Sequence, residues 1–337
     1  MKKYYLIISL AVSILALKSN AQIASGYEIA NWQNFSTSAV SYTFDDNLPE
    51  QFSVAMPLLD KYGFKATFYL ITDWTKYIAA SANGHEIASH SIKHKNLNTL
   101  SIIDQDTELK ESKALIRSKI KSADCVTFAY PYSLSGDQAT VAKYYIAARN
   151  TWGSTMPTTS DDFYKIGATI TGKTSSVQTA TQFNDRANLA KSSKGWCVFV
   201  IHAIDNGTGY SPTKSIELES HLSYIYANKT DFWVATLENV VKYIKERKAV
   251  SIKETAVNTN SFELTVKDNL IDTIYNVPIT IRRILPPSWA SAKVFQNNRL
   301  INSTILTTGN NNSITFDAIP DRGDLIINKS DESNISN

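Results

Sequence analysis

Five histidines occur in the chain, and three of them, His90, His94 and His202, fall just past short apolar runs, as does the acidic pair Asp45-Asp46. Adjacent carboxylates at the end of a strand repel each other and are costly to hold unless something positive sits beside them. Two histidines four residues apart can project from one side of a helical turn, a geometry that suits a divalent metal. An Asp with two His forms a mixed oxygen and nitrogen set that leaves coordination positions open for water and substrate, as Zn²⁺ or a similar transition metal requires. The competing reading makes Asp45-Asp46 a helix cap and the histidines surface residues. Coincidence at three separate strand ends favours the site.

The elements that must carry these residues are legible from periodicity. Runs at 40–44, 66–71, 86–89, 126–130, 145–148, 198–201 and 233–235 are short, apolar and rich in β-branched residues, and read as strands. Between them, 49–62, 102–120, 137–144, 177–192, 214–227 and 237–247 carry apolar residues at three- and four-residue spacing, the mark of amphipathic helices. Strand and helix in alternation imply a parallel sheet, open or closed into a barrel, with chemistry at the C-terminal strand ends. After Lys248 the pattern changes to period two, as in Phe262-Glu263-Leu264-Thr265-Val266 and Ile314-Thr315-Phe316, which predicts a small separate β-sandwich.

With 43% hydrophobic and 19% charged residues over 337 positions, the chain has material for one large or two ordinary cores. The net charge of +3 owes everything to Lys2, Lys3 and Lys18; without them 31 basic residues face 31 acidic ones. A neutral protein of this kind is a poor nucleic-acid or anionic-lipid binder. The first 21 residues read as a secretory signal: a basic start, an apolar run over 4–17, then Ser19-Asn20-Ala21. The expected location is therefore periplasmic or extracellular, with no stable membrane insertion once the signal is removed. Cys125 and Cys197 lie in apolar runs, where a thiol behaves as a small hydrophobe; an oxidising compartment permits a disulfide between them without requiring one.

Thr43-Phe44-Asp45-Asp46, His90-Ser91-Ile92-Lys93-His94, Tyr130-Pro131-Tyr132 and Val200-Ile201-His202, in this order, resemble the motifs of the polysaccharide deacetylase family, carbohydrate esterase family 4. The resemblance covers roughly 40–249. It implies a distorted (β/α) barrel of the polysaccharide deacetylase type, followed by the small all-β, sandwich-like domain. The domains are then a signal peptide at 1–21, a catalytic barrel at 22–249, a β-sandwich at 250–329 and a disordered tail at 330–337. The implied activity is metal-dependent removal of N- or O-acetyl groups from an oligo- or polysaccharide, with metal-activated water as nucleophile. The implied metal ligands are Asp46, His90 and His94, the metal most plainly Zn²⁺; Asp45 is the implied base, His202 the acid, and the Tyr132 backbone N–H part of the oxyanion site.

The departures from that family are informative. Ala129 stands where the family commonly has an Arg that orients the base. Arg149, at the end of the following strand, is the best substitute in the chain, since its fork suits a carboxylate; the alternative is a solvated surface charge. The family's Asp-Trp pair has its nearest echo in Asp161-Asp162-Phe163, with Trp152 a substitute aromatic wall, and Val200 replaces a Leu. Trp74, Tyr77 and Trp152 are candidate sugar-stacking rings or core residues. Ser91 is expected to tie its loop by a side-chain to backbone bond, His85 to lie away from the site, and His221 to be a surface residue on a helix. Two other functions stay open: a carbohydrate-binding protein with a degenerate site, and a related hydrolase of non-sugar amides.

Overall fold

The computed structural model describes residues 23–330 apart from 72–74, 154 and 158–160. The expected signal at 1–21, the tail beyond Ser330 and Trp74 lie outside the described residues. A short strand β1 (Tyr27–Ile29) precedes β2 (Ser38–Asp45), β3 (Thr67–Leu70), β4 (Glu86–Ser89), β5 (Thr127–Ala129), β6 (Ala147–Arg149), β7 (Thr169–Ile170), β8 (Trp196–Ile201) and β9 (Phe232–Val234). Strands β2 to β9 form one parallel sheet in the order β6-β5-β4-β3-β2-β8-β7, with β9 also paired to β2. The sheet curls into a half-barrel whose end strands are β6 and β7, and a parallel bridge from Arg149 of β6 to Ile166, just ahead of β7, links those ends.

Helices α1 (Met56–Lys61), α2 (Tyr77–Ala82), α3 (Ile102–Lys119), α4 (Gln138–Ala142), α5 (Ala180–Ser193), α6 (Ser215–Ala227) and α7 (Leu237–Ala249) connect the strands. Strand alternation assigns the faces. Val40, Tyr42 and Phe44 of β2 and Cys197, Phe199 and Ile201 of β8 share a core with Leu109 and Ile116 of α3 and Leu218 and Leu222 of α6. The alternate residues Ala39, Trp196, Val198 and Val200 pack with Leu237, Val240 and Val241 of α7 instead. Following that second parity to the last residue of β2 and β6 leads to Asp45 and Arg149, and one step past β4 and β8 it leads to His90 (from Ala88) and His202 (from Val200). The same alternation that builds the core therefore sends these four side chains to one concave face.

Helix α7 closes the opposite end. Its first N–H groups donate to Thr67 Oγ1 (2.9 Å, from Leu237) and Glu86 Oε2 (2.8 Å, from Glu238), side chains that open β3 and β4. Burial and the neighbouring Glu238 raise the Glu86 carboxyl pKa to about 8, and the Thr67 and Thr127 hydroxyls also donate to it.

Beyond α7 come β10 (Ser251–Val257), β11 (Ser261–Lys267), β12 (Ile279–Ile284), β13 (Ser291–Gln296), β14 (Arg299–Ile301), β15 (Ser303–Thr308), β16 (Asn311–Ala318) and β17 (Leu325–Ser330). They make two antiparallel sheets, β10-β11-β17-β13-β14 and β1-β12-β16-β15, the latter taking β1 from before the half-barrel. Between them lies a core of Phe262, Leu264, Ile281, Trp289, Val294, Phe316 and Ile327, to which Tyr243 of α7 also belongs. Trp289 stacks on Phe262 and its Nε1 donates to the Thr259 carbonyl at 3.1 Å, so it is a packing residue and no exposed sugar platform. Cys125 and Cys197 are both free and buried.

His221 corrects its expectation: it is fully buried on α6. Its Nδ1 donates to Asn184 Oδ1 (2.6 Å), and its Nε2 accepts from the Tyr42 hydroxyl (2.8 Å). Both nitrogens are satisfied with the ring neutral, and burial pushes its pKa down to about 3. The unfolded chain takes up that proton near pH 6.5 and the folded one does not, so this contribution to stability is intact above pH 6.5 and is lost as pH falls toward 3. The loss amounts to on the order of 4 kcal/mol. Urea unfolding of wild type and His221→Gln between pH 7 and 4 should show a shallower acid slope in the variant; equal slopes would remove His221 from the account.

Candidate active site

Four loops after β2, β4, β5 and β8 meet in a cleft of about 410 Å³ lined by Asp45, Asp46, His90, His94, Tyr132 and His202, with Trp152, Ile170 and Tyr210 at its walls. The backbone reaches this arrangement at a cost. Asp46, Ser91, His94, Tyr132 and Ser133 all have φ between +50° and +73°, the left-handed region that side chains other than glycine avoid. Such residues cost about 1–3 kcal/mol each and persist where surrounding structure over-determines them. His90 and His94 are thus not on a helical turn, as their spacing suggested: the loop 90–96 reverses through Ser91 and His94, which sets the rings 4.7 Å apart. The loop is tied by Ser89 Oγ accepting the Ser91 N–H at 3.3 Å, while Ser91 Oγ is buried without a partner, the reverse of the bond expected of Ser91.

Asp45 is buried, and one Arg149 nitrogen, Nη2, donates to its Oδ1 at 2.5 Å. Arg149 is 1% exposed, with its guanidinium 5.1 Å from the Tyr69 ring centre, so it is no surface charge. The parallel register explains how it replaces the expected arginine: Ala129 of β5 is the register partner of Arg149 of β6. The small side chain at 129 leaves room for a guanidinium arriving from the next strand. Burial would raise the Asp45 pKa, but Arg149, with His90 and His202, outweighs it and holds the carboxyl down to about 2. Gln51, a residue no motif pointed to, is buried with its Nε2 donating to the carbonyls of Asp45 (2.5 Å) and His202 (3.0 Å), pinning the end of β2 to that of β8.

Asp46 Oδ1 is a buried atom with no hydrogen-bond partner, facing His94 Nε2 at 3.4 Å and His90 Nε2 at 3.6 Å. His90 Nδ1 lies 2.8 Å from the Ala129 carbonyl and donates to it, which leaves the Nε2 lone pair turned toward Asp46. Burial pushes His90 down to about 4 and His94 down as well, so both rings are neutral, the ligand form. Burial and the neighbouring Asp45 charge raise Asp46. One ligand atom from each of the three lies within 4.8 Å of the others. An orphaned carboxylate oxygen beside two neutral imidazoles is what a cation reverses from penalty to gain, and the donor set fits a divalent metal.

His202 Nε2 stands 3.9 Å from Asp45 Oδ2, its ring edge-on to Tyr210 at 5.2 Å. The Tyr132 ring is 4.8 Å from that of His94. Trp152 lines the cleft and is 67% exposed, while Tyr77 is a core residue. Val200 is buried with α7, and Ile170 supplies the aliphatic wall instead. Asp161 pairs with Lys248 at 2.6 Å, and none of Asp161, Asp162 and Phe163 is among the residues lining the cleft. His85 bonds Asp60 at 3.2 Å, away from the cleft as expected.

The resemblance seen in the motifs is borne out by the comparison with family models. Residues 33–148 match the family model described as polysaccharide deacetylase, a stretch that includes Asp45, Asp46, His90, His94 and Tyr132 and stops one residue short of Arg149. A gellan lyase from Bacillus sp. is 26% identical over 326 residues, 89% of this chain and 13% of that protein. A Bacillus subtilis protein that carries the name polysaccharide deacetylase YxkH is 35% identical over 91 residues, 24% of this chain and 32% of that protein. The chain therefore spans less than a third of the length of these curated relatives. Among solved structures, Puue allantoinase has a TM-score of 0.51 at 11% identity, over 70% of this chain and 97% of its own, a likeness of fold alone. The Xyl-CE4 domain of a multidomain xylanase from the hindgut metagenome of Trinervitermes trinervoides is 20% identical over 60% of this chain and 89% of its own, at a TM-score of 0.43. Among the described residues no helix is long and apolar enough to cross a membrane.

Proposed function

We propose that the protein is an exported, metal-dependent hydrolase that removes N- or O-linked acetyl groups from a carbohydrate. The observation that carries the reading is one cleft holding three separable devices: a carboxylate gripped by an arginine, a carboxylate facing two neutral imidazoles, and a further imidazole beside the first carboxylate. In this reading Asp46, His90 and His94 hold the cation, with Zn²⁺ the best match to one oxygen and two nitrogen donors. When bound, the cation supplies Lewis acidity toward the acetyl carbonyl and lowers the pKa of water.

The chain's own residues do the rest. Asp45, kept ionised and aimed by Arg149, takes a proton from the attacking water. The new C–O bond forms as the carbonyl oxygen gains charge, and the Tyr132 N–H holds that charge. His202 gives a proton to the departing nitrogen or oxygen as its bond to the acetyl carbon breaks, leaving acetate and the free amine or hydroxyl. Division into a catalytic unit at 22–249 and a packing or spacer unit at 250–329 belongs to the same proposal, as does export, which N-terminal sequencing of secreted protein would test by finding Gln22 first.

Metal analysis and acetate release from a panel of acetylated glycans test the reading. Asp45→Asn should keep its metal and lose at least ~100-fold in turnover, because the base goes and the ligands stay. His202→Ala should slow sugar acetamides far more than activated aryl acetates. Activity confined to non-sugar amides, or glycan binding with no turnover by metal-loaded protein, would overturn the assignment.

A further inference from the structure

Resting on the deacetylase reading, we propose that the cleft continues past Tyr132 into a subsite for an anionic sugar unit, so that the preferred substrate is an acetylated acidic polysaccharide. A trough of about 610 Å³ adjoins the catalytic cleft and shares His94 and Tyr132 with it as lining. Tyr132 is 64% exposed, so its ring offers a sugar a stacking surface at the junction. Beyond it the lining includes Lys93, Lys95, Asn96 and Thr99, two ammonium groups with hydrogen-bonding neighbours suited to sugar hydroxyls, and no carboxylate.

Both lysines are exposed. Glu108 lies buried beneath them: its Oε2 accepts the Lys93 backbone N–H at 3.0 Å, and its Oε1 is 4.0 Å from Lys95 Nζ. No ion pair engages the Lys93 ammonium among the described residues. The trough thus presents more positive charge than it neutralises, directly beside the reacting centre.

The other flank supplies the contrast. Two residues on from Ile170 and Tyr210 of the cleft, Gly172 and Pro212 line a trough of about 620 Å³. Its lysines, Lys173 and Lys214, are matched by Asp205 and Glu217. Those acids accept the backbone N–H groups of Ser215 (2.8 Å) and Ala180 (2.7 Å) and hold their loops. That flank is balanced and suits an uncharged sugar. The polarity is therefore defined: acetylated unit at the centre, anionic unit on the Tyr132 side.

The test compares kcat/KM for acetylated xylo-oligosaccharides with and without a glucuronate branch, at low salt and at 0.5 M NaCl. Wild type should favour the acidic substrate, and K93Q/K95Q should reduce that preference roughly three- to tenfold through KM. High salt should erase it in wild type, since exposed charges are screened. K173Q/K214Q should leave the preference as it is. Calorimetric binding of the deacetylated acidic oligosaccharide to Asp45→Asn protein gives a readout free of turnover, and a sulfated oligosaccharide alongside tells carboxylate from sulfate as the source of charge. Acetate release with equal kcat/KM for both substrates at low salt, unmoved by K93Q/K95Q, would overturn the subsite and leave the deacetylase reading standing. Lysine-dependent binding without any acetate release would do the opposite.

Discussion

Replacing His90 and His94 together by Ala should give a folded protein that retains no stoichiometric divalent metal and releases acetate at least about a thousandfold more slowly. Two of the three converging ligand atoms disappear, and Asp46 alone, beside a second carboxylate that Arg149 already occupies, cannot hold a cation. The fold should survive, because these rings sit in a cleft wall and outside the large cores, and the one structural bond lost is that of His90 Nδ1 to the Ala129 carbonyl. Elemental analysis after dialysis and a thermal melt check both halves. In wild type, chelation should abolish turnover and added Zn²⁺ should restore it. A double variant that keeps a full equivalent of metal would refute the ligand assignment.

The second large effect belongs to Arg149. Arg149→Ala should cost about 100- to 1,000-fold in turnover, since Asp45, the proposed base, loses the group that aims it and keeps it charged against its own burial. Because the pair is buried, the variant should also lose on the order of 3–5 kcal/mol of stability, the usual consequence of leaving one partner of a buried pair alone. Arg149→Lys should restore little, as a point charge on a shorter reach cannot reproduce the planar fork. The register suggests a sharper control: Ala129 and Arg149 are neighbours across β5 and β6, so adding Ala129→Arg to Arg149→Ala should recover part of the lost activity by returning a guanidinium from the adjacent strand. Turnover of Arg149→Ala within twofold of wild type would end the positioning role.

Most of the half-barrel was legible because a parallel α/β sheet writes itself as apolar strand runs between amphipathic helices, and the β-sandwich because period two replaces it after Lys248. The elements that escaped were those with little local signal. Strand β7 is two residues long, β1 pairs with β12 some 250 positions away, and α2 follows a stretch with no helical periodicity of its own. His221 misled although it sits on the stripe Leu218, His221, Leu222 and Ile225 that α6 buries; a polar side chain is held there only because Tyr42 and Asn184 arrive to bond it.

For the site, the sequence by itself determined the chemical inventory and the strand ends that carry it: Asp45 and Asp46, His90 and His94, and His202 are adjacent to recognisable strands, and alternation decides which face each one takes. Only the tertiary structure decided how they combine. The pairing of Arg149 with Asp45 depends on the lateral register of β5 and β6, which local pattern does not encode because most residues of a buried parallel strand are apolar or small on both faces. The turn of His94 toward Asp46 depends on left-handed backbone at Ser91 and His94, a strained choice that neighbouring packing imposes and residue type alone argues against. Gln51, Ile170 and Tyr210 have roles only because three distant loops converge, so no spacing between them in the chain could have announced it.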